Sequence, residues 1–451
     1  MEIPAPSPLG SPAQTGPFAA DYARRLMPAA QAAGLISSQA KVVMGLGIAQ
    51  PPALLKALAD RASAADIDGI RLYYLLSTAI AGDTVLQHAL RDRIRPMSLF
   101  HGAIERELDR QAAAAGLLPV DFLPTAFSQS PKLLCEQVDA DVLLTTVSPM
   151  DASGHFSFGT NTDYALAVSR SARQVIVEVN PAMPRLAGNC TIHVSHIAAI
   201  VEHATPLLEI APVALRPEDE AIGQIIAALA DDGACLQMGI GAVPQAVCGA
   251  LQGHRHLGIH TELMTPALAV LMQAGVIDNS RKSLHPGQSV FTFAMGDRAL
   301  YDFLDGHEAM AAYPVDYVND PAIIARNDRM FSVNATLQVD LQGACNSESI
   351  GAQQYSAAGG QLDFVRGASA SAGGRSIIAC HSTAAKGRIS RIVPCLNGAV
   401  TTPRNDSQII VTEYGWADMK GKTLRERAAA LIALAHPDFR EQLERAAYAT
   451  A

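Results

Sequence analysis

The sequence predicts an α/β fold of two related open domains, each built around a mainly parallel sheet. Along the 451 residues, short apolar runs rich in β-branched residues alternate with Ala-rich helical stretches, as in chains whose strands are joined by crossover helices. A glycine turn that follows a strand occurs twice, as Met-Gly-Leu-Gly at 44–47 and as Met-Gly-Ile-Gly at 238–241. Because open α/β sheets bind ligands at the carboxyl ends of their strands, we interpret the repeat as duplicated halves. Chance similarity in a chain rich in Ala and Gly is the alternative.

The first half is predicted from its strands and from the break that follows them. A strand at Lys41–Met44 precedes the first glycine turn and a helix at 52–59, and apolar strands follow at 141–146 and 175–179. A stretch with two prolines at 205–213 then interrupts the alternation of strands and helices, so we place the domain boundary near residue 215. The predicted units are a disordered leader at 1–18, a first domain at 19–215 and a second domain at 216–451.

The second half repeats the alternation of strands and helices. After a helix at 221–229, the strand Cys235–Met238 leads into the second glycine turn and a helix at 244–251. A further strand at 257–259 is followed by His-Thr-Glu-Leu-Met, which puts Glu262 just past a strand end. A carboxylate there is well placed to act in a cleft, although a surface or capping glutamate is the plainer interpretation of this residue taken alone.

Composition excludes several classes of protein. Hydrophobic residues make up 49% and charged residues 17%, so the chain can form large cores and is not disordered over most of its length. The net charge of −9 repels phosphate backbones, and we expect no nucleic-acid partner. No apolar run is long enough to span a bilayer and the leader lacks a signal-peptide pattern, so we expect no membrane association. Seven scattered cysteines without a Cys-x-x-Cys pair indicate reduced thiols and a cytoplasmic protein.

The second glycine turn and the histidines are candidates for chemistry. The turn at 239–243 resembles the start of a dinucleotide fingerprint but lacks the third glycine. It is either a turn whose backbone N–H groups approach an anion or a carbonyl, or an ordinary tight turn between a strand and a helix. His260 is either a general base or a satisfied structural histidine. The pairs His193/His196 and His254/His256 have metal-like spacing, but no nearby carboxylate or cysteine set completes a site, and we expect no metal.

The segment 381–427 is locally basic in an acidic chain, which indicates a site for a small polyanion. Lys386 and Arg388 follow a strand predicted at 376–379, in a Ser-Thr-Ala-Ala-Lys-Gly-Arg loop, and they are its best candidates. For Arg425 and Arg427, a solvated helix face is the preferred interpretation.

Several ordered motifs together resemble one known family. They include Gly-Ile-His-Thr-Glu at 258–262, Leu-His-Pro-Gly at 284–287, Gly-Gly-Gln-Leu-Asp-Phe at 359–364 and Val-Thr-Glu-Tyr-Gly at 411–415. These motifs resemble the acetyl-CoA hydrolase/transferase family, the class I CoA-transferases that include 4-hydroxybutyrate, butyrate:acetate and itaconate CoA-transferases. Similar motifs extend over about residues 40–445, so the resemblance covers nearly the whole chain.

The resemblance implies two α/β domains with the active site between them, and it assigns roles to residues. Glu262 matches the nucleophile, and Asn319 matches a position that helps to hold the oxyanion. Leu337 and Gly360 match positions near the CoA chain, and Lys386 matches a position near its phosphates. The residues expected against the CoA thioester are Gln237, Gly239, Ile240, Gly241, Ala242 and Val243.

The implied reaction moves CoA from an acyl-CoA to a small carboxylic acid through a covalent glutamyl-CoA thioester. The CoA thioester is a substrate, so no metal or separate cofactor is implied, and a homo-oligomer is expected from the family. An acyl-CoA hydrolase with the same Glu262 is the first alternative, and a catalytically silent acyl-CoA or sugar-phosphate sensor is the second. The loop 47–50, Gly-Ile-Ala-Gln, departs from the commoner Gly-rich, Glu-containing loop of the family. This loop should face the acyl group, and its departure leaves the acceptor acid open. Elsewhere, Cys380-His381 replaces an apolar–Pro pair, and Trp416 stands where a smaller aliphatic residue is usual.

Overall fold

The computed structural model describes residues 16–449. In the first half the strands and helices are α1 (Ala19–Arg25), α2 (Ala29–Ala33), β1 (Lys41–Met44), α3 (Pro52–Ser63), β2 (Ile70–Tyr74), α4 (Ala79–Gly82), β3 (Ile94–Ser98), α5 (Ala103–Ala114), β4 (Asp121–Phe122), α6 (Ser130–Lys132), β5 (Val142–Val147), β6 (His155–Ser157), α7 (Ala165–Ser171), β7 (Gln174–Val179), β8 (Ala187–Gly188), β9 (Thr191–His193) and β10 (Ala199–Glu202).

The second half continues the same alternation and adds several short strands. Its strands and helices are α8 (Pro217–Ala227), β11 (Cys235–Met238), α9 (Ala242–Ala250), β12 (Gly258–Met264), α10 (Pro266–Gln273), β13 (Ser289–Ala294), α11 (Arg298–Leu304), β14 (Met310–Ala312), α12 (Val315–Val318), α13 (Pro321–Ile324), β15 (Met330–Ala335), β16 (Gln338–Asp340), β17 (Cys345–Asn346), β18 (Ser349–Ile350), β19 (Gln353–Gln354), α14 (Gln361–Ala370), β20 (Arg375–Ala379), β21 (Thr383–Ala384), β22 (Ile389–Ser390), β23 (Ile392–Val393), β24 (Ile409–Thr412), β25 (Gly415–Asp418), α15 (Leu424–Leu434) and α16 (Pro437–Ala449).

The two large sheets are wound in the same order. The first runs β10-β7-β5-β1-β2-β3-β4, and every pair in it is parallel. The second contains β24-β20-β15-β11-β12-β13-β14, with β25 added antiparallel at one edge and β8 parallel at the other. In each half the chain starts at a central strand, winds to one edge and then returns to the other side. The shared winding confirms the prediction of duplicated, mainly parallel α/β halves.

Most predicted elements of the sheets are present, and one prediction about Glu262 is wrong. The strands β1 and β11 have the predicted bounds, and a glycine turn and a helix follow each of them. Glu262, however, lies within β12 and not past the end of a strand. The reason is that β12 stays paired with β13 through Met264, although its pairing with β11 stops at Ile259. Its carboxylate therefore projects from a strand that has lost one neighbour.

The two halves are joined by backbone pairing as well as by side-chain packing. The strand β8 of the first half lies beside β14 at the edge of the second sheet. The N–H of Ala294 donates to the carbonyl of Thr160 at 2.7 Å, and Leu263 and Phe293 of the second half pack into the core of the first. Leu263, the neighbour of Glu262 in β12, is therefore part of the junction of the two halves. The boundary near residue 215 stays a prediction.

The remaining predictions concern the leader, the cysteines and the membrane. Residues 1–15 of the predicted leader lie outside the described residues, and Phe18 contacts the ring of His193. The cysteines are free thiols, and most of them are buried. Within residues 16–449, every helix is too short or too polar to cross a membrane.

Substitution of Gly188 tests how much the pairing of β8 with β14 contributes to stability. Its φ of +101° suits glycine, and a Cβ there would overlap the backbone carbonyl of Ala312. Gly116, with a φ of +70° and open space around it, is the matched control. We expect Gly116→Ala to cost roughly 1 kcal/mol of stability through backbone strain, and Gly188→Ala to cost at least roughly 2 kcal/mol more. Equal melting temperatures for the two variants would contradict this role of β8.

Candidate active site

Glu262 is held by two donors on separate segments of the second half. Its Oε2 accepts a hydrogen bond of 2.7 Å from Nδ2 of Asn319, which ends α12. The carboxylate also accepts from the backbone N–H of Gly360, which precedes α14. A Cβ at Gly360 would overlap both Oε2 of Glu262 and Nδ2 of Asn319, so only glycine allows this approach. The structure thus brings together three of the residues that the sequence singled out.

The protonation of Glu262 is set by its surroundings. Burial raises the pKa of Glu262 to about 7, and the nearby Asp363 carboxylate adds to the increase. The hydrogen bonds from Asn319 and Gly360 act in the opposite direction because they stabilise the ionised form. The group therefore titrates near neutral pH, which is a common property of functional carboxylates.

His260 has a structural role in this arrangement. Its ring is fully buried on β12, and Nε2 lies 2.8 Å from the carbonyl oxygen of Val318, next to Asn319. Burial lowers the pKa of His260 to about 3, so the ring is neutral near pH 7 and donates to that carbonyl. His260 thus holds the segment that carries Asn319, in agreement with the structural interpretation of this histidine.

The first half contributes to the site through a short turn at Phe127–Gln129. The N–H of Phe127 donates to the carbonyl of Gly359 at 3.0 Å. The N–H and Oγ of Ser128 both donate to the Asp363 carboxylate, at 3.1 and 2.9 Å. Since Gly359 and Asp363 flank Gly360 on the segment that begins α14, the first half fixes the backbone donor that contacts Glu262. The site therefore lies at the junction of the two halves, as expected.

The glycine turn after β11 leads into α9. Ile240 at its tip is exposed, and Ala242 and Val243 form the first turn of the helix. Gly241 has a φ of +119°, and the position of its missing Cβ has no neighbour within 4 Å. The turn therefore offers open backbone and a helix N-terminus to a ligand.

Gln237 and Leu337 flank the point where the winding of the second sheet reverses, between β11 and β15. Gln237 is buried, and its Oε1 accepts hydrogen bonds from Oγ of Ser332 at 2.6 Å and from Nδ2 of Asn334 at 3.2 Å. This gives Gln237 a structural role in joining the two strands. Leu337 is half-buried just after β15, and Gly239 follows the carboxyl end of the neighbouring parallel strand β11. Ligands of open α/β sheets bind at such reversal points.

Lys386 lies in a separate cavity of about 840 Å³ at the carboxyl ends of β20 and β24. It is exposed on a loop, and Arg216 and Arg391 line the same cavity. Glu218 and Glu413 are also among the lining residues, together with His381, Tyr414 and His436. An Nη1 atom of Arg391 lies 3.4 Å from the carbonyl oxygen of Leu337, so this cavity adjoins the reversal point of the sheet.

Three of the four histidines in the metal-like pairs have other partners, and Nδ1 of His193 lies 2.8 Å from Oγ of Ser195. His254 contacts the carbonyl of Ala230, and His256 is paired with Asp278 at 2.8 Å. Across residues 16–449, no group of three His, Cys, Asp or Glu side chains has an arrangement suited to a metal ion.

Sequence reasoning did not identify Asp363 or Ser128. Asp363 stands in the Gly-Gly-Gln-Leu-Asp-Phe motif, which indicated the family but not a role for this residue. Ser128 follows no motif, and its contact with Asp363 joins positions far apart in the chain. Only the folded arrangement connects the two.

Comparisons with known proteins agree with this fold. The acetyl-CoA hydrolase/transferase N-terminal domain matches residues 14–212, and the C-terminal domain of the same family matches residues 296–447. The chain is 43% identical to the 4-hydroxybutyrate coenzyme A transferase of Clostridium kluyveri, over 94% of this chain and 97% of that protein. The acetyl-CoA hydrolase of Candida albicans is a more distant relative, 26% identical over 46% of this chain and 39% of the hydrolase.

Solved structures give the same result. The crystal structure of RipA from Yersinia pestis has a TM-score of 0.94 and 52% identity, over 96% of this chain and 99% of that one. A 4-hydroxybutyrate CoA-transferase from Porphyromonas gingivalis has a TM-score of 0.83 and 35% identity, over 96% of this chain and all of that one. The chain belongs to the acetyl-CoA hydrolase/transferase family, and it is a CoA-transferase.

Proposed function

We propose that this enzyme exchanges CoA between an acyl-CoA and a small carboxylic acid through a covalent thioester on Glu262. The observation that carries the proposal is a carboxylate with a pKa of about 7, held by Asn319 and Gly360 at the junction of the halves. A carboxylate in this position is a nucleophile that bulk water does not surround. Exchange through it conserves the energy of the thioester, so the proposed reaction requires no ATP, metal or separate cofactor.

The proposed exchange proceeds through a mixed anhydride and a thioester on Glu262. An oxygen of Glu262 attacks the acyl carbon, and CoA leaves as a thiolate while a mixed anhydride forms. The thiolate then attacks the glutamyl carbon, which forms the glutamyl-CoA thioester and releases the first acid with one oxygen from Glu262. The incoming carboxylate then attacks the glutamyl-CoA thioester, which forms a second mixed anhydride and releases CoA as a thiolate. The thiolate attacks the acyl carbon of this anhydride, which forms the new acyl-CoA and restores the Glu262 carboxylate. The sequence of steps thus divides a difficult exchange into several acyl transfers of similar energy.

The donors around Glu262 suit the oxyanions of these steps. Nδ2 of Asn319 and the N–H of Gly360 already point at the carboxylate, and the tetrahedral intermediates at the glutamyl carbon develop negative charge at the same place. The open backbone at Gly241 is proposed to supply a further N–H group on the CoA side. One such donor is worth roughly 10²–10³ in rate.

The CoA chain is proposed to run from Glu262 past the glycine turn and Leu337 toward the cavity of Lys386. Arg391 bridges Leu337 and that cavity, which supports a continuous path. Lys386, Arg216 and Arg391 supply positive charge for the phosphates at its far end.

The proposed acids are small carboxylates of the 4-hydroxybutyrate, butyrate, acetate and itaconate type. The loop 47–50 of the first half is expected to face the acyl group. A Cβ at Gly47 would lie 3.2 Å from Sδ of Met295 in the second half, and Ile48 packs into the core of the second half. This tight closure supports a small acyl pocket. The relatives named for 4-hydroxybutyrate support the first of these acids.

Hydrolysis of acyl-CoA through the same Glu262 is the alternative, and the distant relationship to an acetyl-CoA hydrolase supports it. The two activities differ only in whether water or an acid attacks the glutamyl-CoA thioester. Measuring release of CoA with and without a panel of carboxylates separates them, since a transferase requires the acid. Homo-oligomeric assembly and a cytoplasmic location stay predictions.

Glu262 should become labelled during turnover. With acyl-CoA and no acceptor, we expect borohydride to reduce the trapped thioester on Glu262 to an alcohol, which peptide mass spectrometry detects. Glu262→Gln should lose the label and at least roughly 10³-fold in rate. The control is Asp163→Asn, because Asp163 is also buried and burial raises its pKa to about 7. That variant should keep the label on Glu262, and a label on another carboxylate would contradict the assignment.

The rate should depend on pH because only ionised Glu262 is a nucleophile. With a pKa of about 7, kcat/KM for acyl-CoA should rise with pH and level off above that value. One unit below the pKa, the rate should be about tenfold lower. Asn319→Ala removes a donor that lowers this pKa, so the rise should move to higher pH. If the pH profiles of the unmodified enzyme and the Asn319→Ala variant coincide, Asn319 does not lower the pKa of Glu262.

Lys386→Ala should weaken binding of acyl-CoA without affecting the free acid, since only CoA carries phosphates. We expect KM for acyl-CoA to rise about fivefold, as for an exposed ion pair worth about 1 kcal/mol, and the effect should fade with added salt. Lys420→Ala is the control, because Lys420 contacts the carbonyl of Asn405 instead of the cavity. A rise in KM for the acid would assign Lys386 to the carboxylate pocket.

A further inference from the structure

Phe100 of the first half lies beside Glu262. It follows β3 and packs, half-buried, against the core of the first half, which includes Leu263, the neighbour of Glu262 in β12. A Cβ at Gly359 would lie 4.0 Å from Cε2 of Phe100 and 4.0 Å from Oε1 of Glu262. The edge of the ring and this carboxylate oxygen therefore border one small space, which we call the gap at Gly359.

The gap at Gly359 is about as wide as one methyl group. In the part of the chain that the structure describes, no other atom beyond the residues next to Gly359 lies within 4 Å of this Cβ position. A distance of 4.0 Å is an ordinary van der Waals contact, so a single carbon atom would fill the space. The φ of Gly359 is +54°, which suits glycine, and the absence of a side chain keeps the gap open.

Contacts between the halves hold the loop that carries the ring. The N–H of His101, the next residue, donates to the carbonyl of Ser356 at 3.4 Å. Nη1 of Arg106 donates to the carbonyl of Tyr355 at 2.6 Å, and its guanidinium carbon lies 4.2 Å from the centroid of the Tyr355 ring. The ring is therefore held against the segment of the second half that leads into the gap.

The two oxygens of Glu262 have different surroundings. Oε2 accepts the hydrogen bond of 2.7 Å from Asn319, so it can keep its donor while Oε1 forms the bond to the acyl carbon. In the proposed anhydride, the acyl chain is then attached to Oε1 and lies at the gap beside Phe100. A water molecule is held in such a space only by several polar partners, and an apolar ring supplies none. The ring therefore favours an acyl chain over water.

We propose that Phe100 is a specificity-determining residue that packs against the acyl chain and keeps water from the glutamyl-CoA thioester. This inference rests on the proposed covalent role of Glu262. In hydrolysis, water attacks the glutamyl carbon, CoA leaves as a thiolate and the Glu262 carboxylate is restored, while the protons of the water pass to the thiolate and to solvent. Because water and the incoming acid compete for the same carbon, exclusion of water favours transfer.

The lifetime of the glutamyl-CoA thioester tests this role. The thioester is formed with acyl-CoA and freed from small molecules by rapid gel filtration, and its loss without acid is followed by borohydride trapping and peptide mass spectrometry. We expect Phe100→Ala to shorten the lifetime at least about tenfold. Phe100→Leu keeps an apolar side chain and should stay within about threefold of the unmodified enzyme.

The control is Phe303→Ala, because Phe303 is also half-buried but lies on α11, with its ring against His307. This variant should keep the lifetime of the unmodified enzyme. An unchanged lifetime in Phe100→Ala, or an equal loss in Phe303→Ala, would overturn the proposal.

Gly359→Ala gives a second test that keeps the Phe100 ring in place. Its methyl group would fill the gap, so exchange with butyrate should fall about tenfold more than exchange with acetate. Gly351→Ala is the matched control, because Gly351 is half-buried, has a φ of +58° and has open space at its Cβ position. It carries the same backbone strain and should change both exchange rates alike. Equal losses for the two acids in Gly359→Ala would overturn the placement of the acyl chain at the gap.

Failure of this inference is distinguishable from failure of the proposed function. If the unmodified enzyme shows no label on Glu262, the covalent mechanism is wrong. If Glu262 is labelled, the thioester of Phe100→Ala is as long-lived as that of the unmodified enzyme, and Gly359→Ala treats acetate and butyrate alike, the mechanism stands and the role of Phe100 is wrong.

Discussion

The site depends on keeping one carboxylate partly removed from water while leaving it able to react. Burial alone would hold Glu262 protonated and inert, because desolvation disfavours the charged form. The hydrogen bonds from Asn319 and Gly360 oppose this effect, and the balance brings the pKa to about 7. Two further features support these donors. The glycine at position 360 lets a backbone donor approach, and His260 holds the segment that ends in Asn319.

Duplication gives the two halves the same winding but different tasks. The second sheet carries Glu262 on β12, where the strand has separated from β11 and keeps only β13 as a neighbour. The first half supplies the turn at Phe127–Gln129, which contacts the segment before and within α14. A site between duplicated sheets can therefore place its buried carboxylate on one half and part of the support for that carboxylate on the other.

Local sequence predicted the features that depend on local patterns. The glycine turns and the alternation of apolar runs predicted the parallel sheets, and the motif around Glu262 pointed to the family. The extent of β12 was missed, because its pairing with β13 is set by the partner strand and not by its own residues. Ser128 and Asp363 were missed for a related reason. Their contact is made across the junction of the halves, and neither residue type has a local signal for such a role.

The central claim is that Glu262 exchanges an oxygen atom with the substrate acids, and oxygen-18 tests it most directly. When an acceptor acid labelled in both carboxylate oxygens attacks the glutamyl-CoA thioester, one labelled oxygen should remain on the protein after the new acyl-CoA leaves. After turnover with labelled acid in ordinary water, the peptide bearing Glu262 should be heavier by one oxygen-18 substitution. Turnover that leaves this peptide unlabelled, while acyl-CoA of the labelled acid accumulates, would contradict the account.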